Sequence, residues 1–144
     1  MTREQIPECR AITDVSEPWK TLREGIDFKT YIARKQAYVC TQGAKAAGFI
    51  IFTPEPVFAR GGYLRAIGVS PSMRGQGIGR RLLAFAEKRT ARTAQNFFLC
   101  VSSFNRRGQR FYERLGYARA GKLPGLISPG ISEYIYWKKL DSIT

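Results

Sequence analysis

A mixed α/β fold is predicted for this chain by three observations. Short apolar runs of strand length recur along it, apolar residues at helical spacing lie between several of them, and one glycine-rich turn joins a strand directly to a helix. The 144 residues contain no repeat, low-complexity tract or linker, so a single domain over 1–144 is expected.

The elements follow in order. Residues 1–12 are expected to hold a short first strand. "DVSEPWKTLREGIDFKTYIAR" reads as helix: Ser16 is the candidate N-cap, Glu17 and Pro18 suit a first turn, and Trp19, Leu22 and Ile26 form an apolar stripe. Gly25 and Asp27 break it into two short helices. "QAYVCTQG" and "KAAGFIIFTPEP" read as strands joined by a tight turn around Gly43, with Pro54 and Pro56 expected to stop the second. A strand over Gly62 to Val69 comes next. After the glycine turn, Ile78, Leu82, Phe85 and Ala86 mark a helix from Gly77 to Arg92. "NFFLCVSS" suits a buried strand, and "NRRGQRFYERLG" a helix ended by Gly116. "YARAGKLPG" and "SEYIYWKKL" are two closing strands around a loop rich in proline and glycine. In the last, alternation puts Tyr134 and Tyr136 on one face and Trp137 on the other.

Composition narrows the function. With 44% hydrophobic and 24% charged residues the chain is ordinary for a globular protein. No apolar run reaches the roughly 20 residues of a membrane helix, and "MTREQIPECR" lacks the apolar stretch of a secretory signal, so a cytoplasmic protein without membrane partners is expected. Cys9, Cys40 and Cys100 are odd in number and form no CxxC pair, which argues against a disulfide framework or a zinc site. The chain has no histidine, so His-dependent triads and His-ligated metals are excluded, and no metal is expected. Lys and Arg number 24 against 11 Asp and Glu, a formal charge of +13 that predicts attraction to polyanions: nucleic acid, an acidic protein surface or a polyphosphate cofactor.

The stretch "VSPSMRGQGIGRR", Val69 to Arg81, narrows it further. Glycines there let backbone N–H groups approach a ligand, and a helix N-terminus adds partial positive charge, as a phosphate cradle requires. A Walker A loop needs GxxxxGK[ST], which is absent. A Rossmann fingerprint needs GxGxxG, but Arg80 stands where the third glycine should fall, and the next strand lacks its acidic residue. The spacing Arg74-x-x-Gly77-x-Gly79 instead resembles the pyrophosphate loop of the GNAT superfamily of acyl-CoA-dependent N-acetyltransferases. The resemblance covers most of the chain and is strongest from Gly62 to Tyr117, through "AIGVSPSMRGQGIGRRLL" and "VSSFNRRGQRFYERLGY".

That resemblance implies a central mixed, mostly antiparallel β-sheet flanked by about four helices, with acetyl-CoA as co-substrate. It implies that the backbone of Gly75, Gln76, Gly77, Ile78, Gly79 and Arg80 holds the pyrophosphate of coenzyme A, with Arg74, Arg80 and Arg81 flanking it. The edge of the strand carrying Ile67 and Val69 corresponds to the family's oxyanion donor. Asn105 corresponds to a residue that hydrogen-bonds the pantetheine arm, and Tyr112 to the general acid. On a helix these two stand seven residues apart on one face with Gly108 between them, while Phe111 and Leu115 form another stripe able to face the core. Many relatives place a glutamate base where this chain has Cys100. Without a histidine to activate it, Cys100 reads as a core residue. Glu133 is the candidate base, with Glu24 and Asp27 as alternatives, and an α-amino acceptor would need little help from any base.

The function expected is acetyl transfer from acetyl-CoA to a primary amine of a small molecule or protein by direct attack on the thioester. A basic nucleic-acid-binding module on a non-catalytic acetyltransferase-like scaffold is the alternative. Arg106, Arg107, Arg110 and Arg114 form either a solvated face or a guide for an acidic acceptor. Trp19, Tyr31 and "KLPGLISPGISE" are candidate walls for the acceptor, whose identity, like the choice between monomer and homodimer, stays open.

Overall fold

The computed structural model describes residues 1–141. It contains five α-helices, α1 (Ile6–Asp14), α2 (Trp19–Leu22), α3 (Phe28–Ala33), α4 (Ile78–Thr90) and α5 (Arg106–Arg114), and six strands. These are β1 (Ala37–Gln42), β2 (Lys45–Phe58), β3 (Gly61–Val69), β4 (Asn96–Ser102), β5 (Ala118–Pro124) and β6 (Ser132–Lys139), in one sheet of order β1-β2-β3-β4-β6-β5. β1 with β2, β4 with β6 and β5 with β6 are antiparallel, and β3 with β4 is parallel. The mixed, mostly antiparallel sheet expected from the sequence is therefore present. The helix beyond the four expected is α1, in a stretch expected to hold a strand.

Two compact units divide the chain. One comprises Met1–Phe52 and Arg65–Ala86, the other Thr53–Leu64 and the chain from Glu87 onward. In the first, Ile6, Cys9 and Ile12 of α1 join Ile26, Phe28, Phe49, Ile51 and Ala66 in a buried cluster, with Trp19 and Tyr31 packed against it. Phe28 and Phe49 meet edge to face with 5.3 Å between ring centroids. The second unit is organised around a carboxylate: Glu87 accepts from the Tyr117 hydroxyl at 2.8 Å and pairs with Lys138 at 3.0 Å.

Several expectations need correction. The N-terminus is a helix rather than a strand, preceded by a 3₁₀ turn at Arg3–Gln5; Ile6, Cys9 and Ile12 recur every three residues, and Pro7 occupies the first turn, where its missing N–H costs nothing. Ser16 does not cap α2. Pro18 occupies that position, while the Ser16 carbonyl accepts from Lys20 N–H and its hydroxyl from Arg74. Pro54 and Pro56 do not stop β2, which runs on to Phe58. Phe52 N–H donates to Gln36 on the β1 side, and alternate residues share that direction, so Pro54 and Pro56 lack their N–H where β1 offers no partner beyond its pairing at Ile51. The next turn, Ala59 and Arg60, has left-handed φ of 45° and 64° and links β2 to β3 as a two-residue hairpin. On α4, Phe85 is 39% exposed and Leu83 is buried in its place, although the Phe85 ring packs on Tyr38 and Phe52.

Candidate active site

The glycine turn lies wholly within the first unit. A 3₁₀ turn at Pro71–Met73 leads into it and α4 leads out. Gly75 and Gly77 have φ of +80° and +77°, with open space where a Cβ would project. Their glycines thus serve chain direction rather than tight packing, because an L side chain is strained at that φ. The hydrogen-bond ladder of α4 opens with Arg81 N–H donating to the Gly77 carbonyl at 3.0 Å. Among the described residues, no backbone N–H from Gly75 to Arg80 has an acceptor. A run of unsatisfied amides at the positive end of a helix dipole is an anion-binding device.

The side chains around this run divide sharply. A terminal guanidinium nitrogen of Arg74 donates to Ser16 Oγ at 2.9 Å, and Gln76 Oε1 accepts from Gln42 at 3.0 Å, so both side chains brace the turn. Arg80 and Arg81 are exposed. The Ile78 side chain is buried, leaving only its backbone to face a ligand. Ile67 and Val69 lie half-buried at the end of β3.

In the second unit, Asn105 caps α5: its Oδ1 accepts from Gly108 N–H at 3.0 Å. The space above Gly108 is filled by that same side chain, since a Cβ on Gly108 would meet Asn105 Nδ2 at 2.6 Å. Gly108 therefore makes room for the cap rather than for a cleared ligand face, and Asn105 retains its Nδ2 as a donor. Tyr112 is 8% exposed, so the packed side of α5 is that of Gln109 and Tyr112, not the Phe111 and Leu115 stripe, which is half-buried. Its ring meets Phe111 and Tyr117 edge to face. Its hydroxyl donates to no acceptor among the described residues. Burial, followed by the nearby Tyr63, pushes the Tyr112 phenol well above its ordinary pKa.

Tyr63, Cys100, Tyr112 and Glu133 form a chain of neighbours in this unit. Tyr63 hydrogen-bonds Cys100, and burial, with a contribution from Glu133, raises the Cys100 thiol. A thiol held protonated is a poor nucleophile, in keeping with a packing role. Glu133 lies on β6 opposite Ser102 and is 5% exposed, with its Oε2 enclosed. Sequence reasoning missed Tyr63, whose only signal was a phenol among the apolar residues of β3. Of the alternative bases, Asp27 caps α3, accepting from the Thr30 hydroxyl at 2.7 Å and from its N–H, and these bonds hold its pKa below the ordinary value. Glu24 is exposed. Of the candidate acceptor walls, Trp19 packs on Phe49 and the Tyr31 hydroxyl accepts from Arg65 at 3.1 Å, while Leu126 and Ile127 of the β5–β6 loop are exposed. The described residues hold no cluster of potential metal ligands, and no helix among them is long and apolar enough to cross a membrane.

Comparison with known proteins gives this arrangement its context. A yeast protein, N-alpha-acetyltransferase 40 of Saccharomyces cerevisiae, is 44% identical over 77 residues, a match covering 48% of this chain and 27% of that protein. This chain thus spans about a quarter of the length of the curated relative it matches. Among solved structures, Ard1 from Thermoplasma volcanium is similar with a TM-score of 0.83 at 18% identity, covering 99% of this chain and 95% of that one. An aminoglycoside 6'-N-acetyltransferase complexed with coenzyme A is similar with a TM-score of 0.75 at 18% identity, over 99% and 94% of the two chains. The sequence profile described as Acetyltransferase (GNAT) family matches residues 4–117, and with the glycine turn, the capped α5 and the sheet order in agreement, the chain belongs to the GNAT family of acetyltransferases.

Proposed function

We propose that the chain transfers the acetyl group of acetyl-CoA to a primary amine, and that the acceptor is the α-amino group of a protein. The observation that carries the first part is the run of unsatisfied amides from Gly75 to Arg80 at the start of α4, which suits the pyrophosphate of coenzyme A. The family profile runs through both compact units, which supports reading them as one acetyltransferase domain. The α-amino acceptor is supported by the yeast relative's name and by chemistry. An α-amine with a pKa near 8 is partly neutral at physiological pH, so it attacks without a strong base.

The amine nitrogen attacks the thioester carbonyl and charge collects on the carbonyl oxygen. The backbone at Ile67 and Val69 is the proposed donor to it. As the C–S bond breaks, the thiolate takes the Tyr112 proton, and the new amide loses its surplus proton to Glu133, directly or through a water. A phenol suits the acid's role because it stays protonated at neutral pH and faces a thiolate whose conjugate acid is near 8.5. Asn105 Nδ2 is the proposed donor to the pantetheine arm. Exposed Leu126 and Ile127 are proposed to face the acceptor.

Calorimetric titration with acetyl-CoA, CoA and ATP at two salt concentrations tests the cradle. Micromolar binding of acetyl-CoA that survives added salt is expected. Equal, weak binding of all three that fades with salt makes the loop structural. Incubation with acetyl-CoA and two peptides, one with a free α-amine and one blocked but carrying lysine, then tests the acceptor by mass spectrometry. Acetylation of only the blocked peptide overturns the α-amino assignment.

A further inference from the structure

The second unit also carries a cationic recess of about 320 Å³ between α5 and the β5–β6 pair. Arg106, Gln109, Arg110 and Glu113 line it from successive turns of α5, and Arg119 and Tyr134 line it from β5 and β6. Three guanidiniums against one carboxylate leave two positive charges in excess, and none of the three forms an ion pair among the described residues. The single carboxylate is already engaged, because Glu113 Oε1 accepts from the Tyr136 hydroxyl at 2.7 Å.

One of the guanidiniums is held in place before any ligand arrives. Arg119 stacks on the Tyr134 ring at 3.7 Å and donates to Gln109 Oε1 at 3.3 Å. Gln109 is itself anchored, its Nε2 donating to the carbonyls of Ser102 and Ser103, both at 3.1 Å. Buried Gln109 thus fixes the fork of Arg119, so little side-chain freedom remains to be lost on binding. The other two cations stand unfavourably in the protein alone. Arg106 and Arg110 are like charges four residues apart, and the first turn of α5 contains no acidic residue to match its dipole.

We propose that this recess binds a phosphate dianion, free or as a phosphomonoester, through Arg106, Arg110 and Arg119. The excess charge of the recess matches a phosphate near neutral pH, which carries about −1.5 to −2, and forked guanidiniums match its oxygens. The site is distinct from the glycine turn, and its ligand does not depend on the chain's catalytic reaction.

The arginine side-chain Nε–Hε signals of ¹⁵N-labelled protein test this during titration with inorganic phosphate, glycerol phosphate and sodium chloride at matched ionic strength. Saturable shifts of Arg119 and Arg110 with phosphate and not with chloride are expected, with affinity weakened about tenfold or more in Arg119→Gln. Arg119→Lys, which keeps the charge but not the fork, should fall between the two. Saturation by inorganic phosphate alone assigns the free anion, and saturation by both phosphates assigns a phosphomonoester. Linear shifts, equal shifts with chloride, unchanged affinity in Arg119→Gln, or shifts confined to the amides of the glycine turn overturn the proposal.

Discussion

Burial penalises the Tyr112 phenolate and so keeps the phenol protonated, and its hydroxyl, which donates to no acceptor among the described residues, is the proposed proton donor to the leaving thiolate. Tyr112→Phe is expected to lower kcat by about 10²- to 10⁴-fold while acetyl-CoA affinity changes little. Steady-state kinetics beside calorimetry separates the two, and unaltered kcat removes Tyr112 from the mechanism. Because the folded phenol lies above its ordinary value of about 10, loss of its proton should not limit the wild-type rate at any pH below that. In the glycine turn, Gly77→Asp sets an L residue at a φ of +77° and a carboxylate among the amides proposed to hold an anion. Acetyl-CoA binding should be lost while circular dichroism stays native; retained affinity excludes the cradle. Cys9 is fully buried, and burial raises its thiol from 9.0 to about 11. The unfolded chain therefore releases that proton at lower pH than the folded one, so the Cys9 contribution is complete below about pH 9 and falls as pH rises towards 11. Urea unfolding at mildly and strongly alkaline pH should show a steeper loss for the wild type than for Cys9→Ala.

The β2–β3 hairpin shows why some elements could be read from the residues and others could not. Asn-Gly or Asp-Gly announces a two-residue turn, but Ala59-Arg60 does not, and Pro54 and Pro56 point to a stop. Only the pairing of neighbouring strands reveals that the prolines fall where no N–H is needed. Two non-glycine residues at positive φ cost roughly 1 kcal/mol each. Replacing Ala59-Arg60 with Asn-Gly should therefore stabilise the protein by about 1–2 kcal/mol, measured by urea denaturation. α1 failed for a related reason: nine residues of mixed polarity show their apolar face only once Ile6, Cys9 and Ile12 have a core to join. α4, β4 and β6 were legible because periodicity, flanking glycines and β-branched or aromatic content agreed.

At the scale of the whole molecule, the +13 charge is the feature that residue motifs explain least. Some of it has structural employment: Arg74 braces Ser16, Lys138 pairs with Glu87, and Arg119 stacks on Tyr134. The remainder predicts association with polyanions. Retention on heparin should be strong at low salt and collapse at physiological salt, whereas acetyl-CoA affinity, which we propose rests on backbone amides, should change far less.

By itself the sequence determined the family, because the glycine spacing and the Asn105–Tyr112 spacing that carry the resemblance are local to the chain, and on those same residues rest the proposed cradle and general acid. The tertiary structure alone decided which side of α5 is packed, what occupies the space above Gly108, that Asp27 is consumed as a helix cap, and that three arginines share one recess. Those outcomes depend on burial and on partners distant in the chain, and burial is a property of the assembled core.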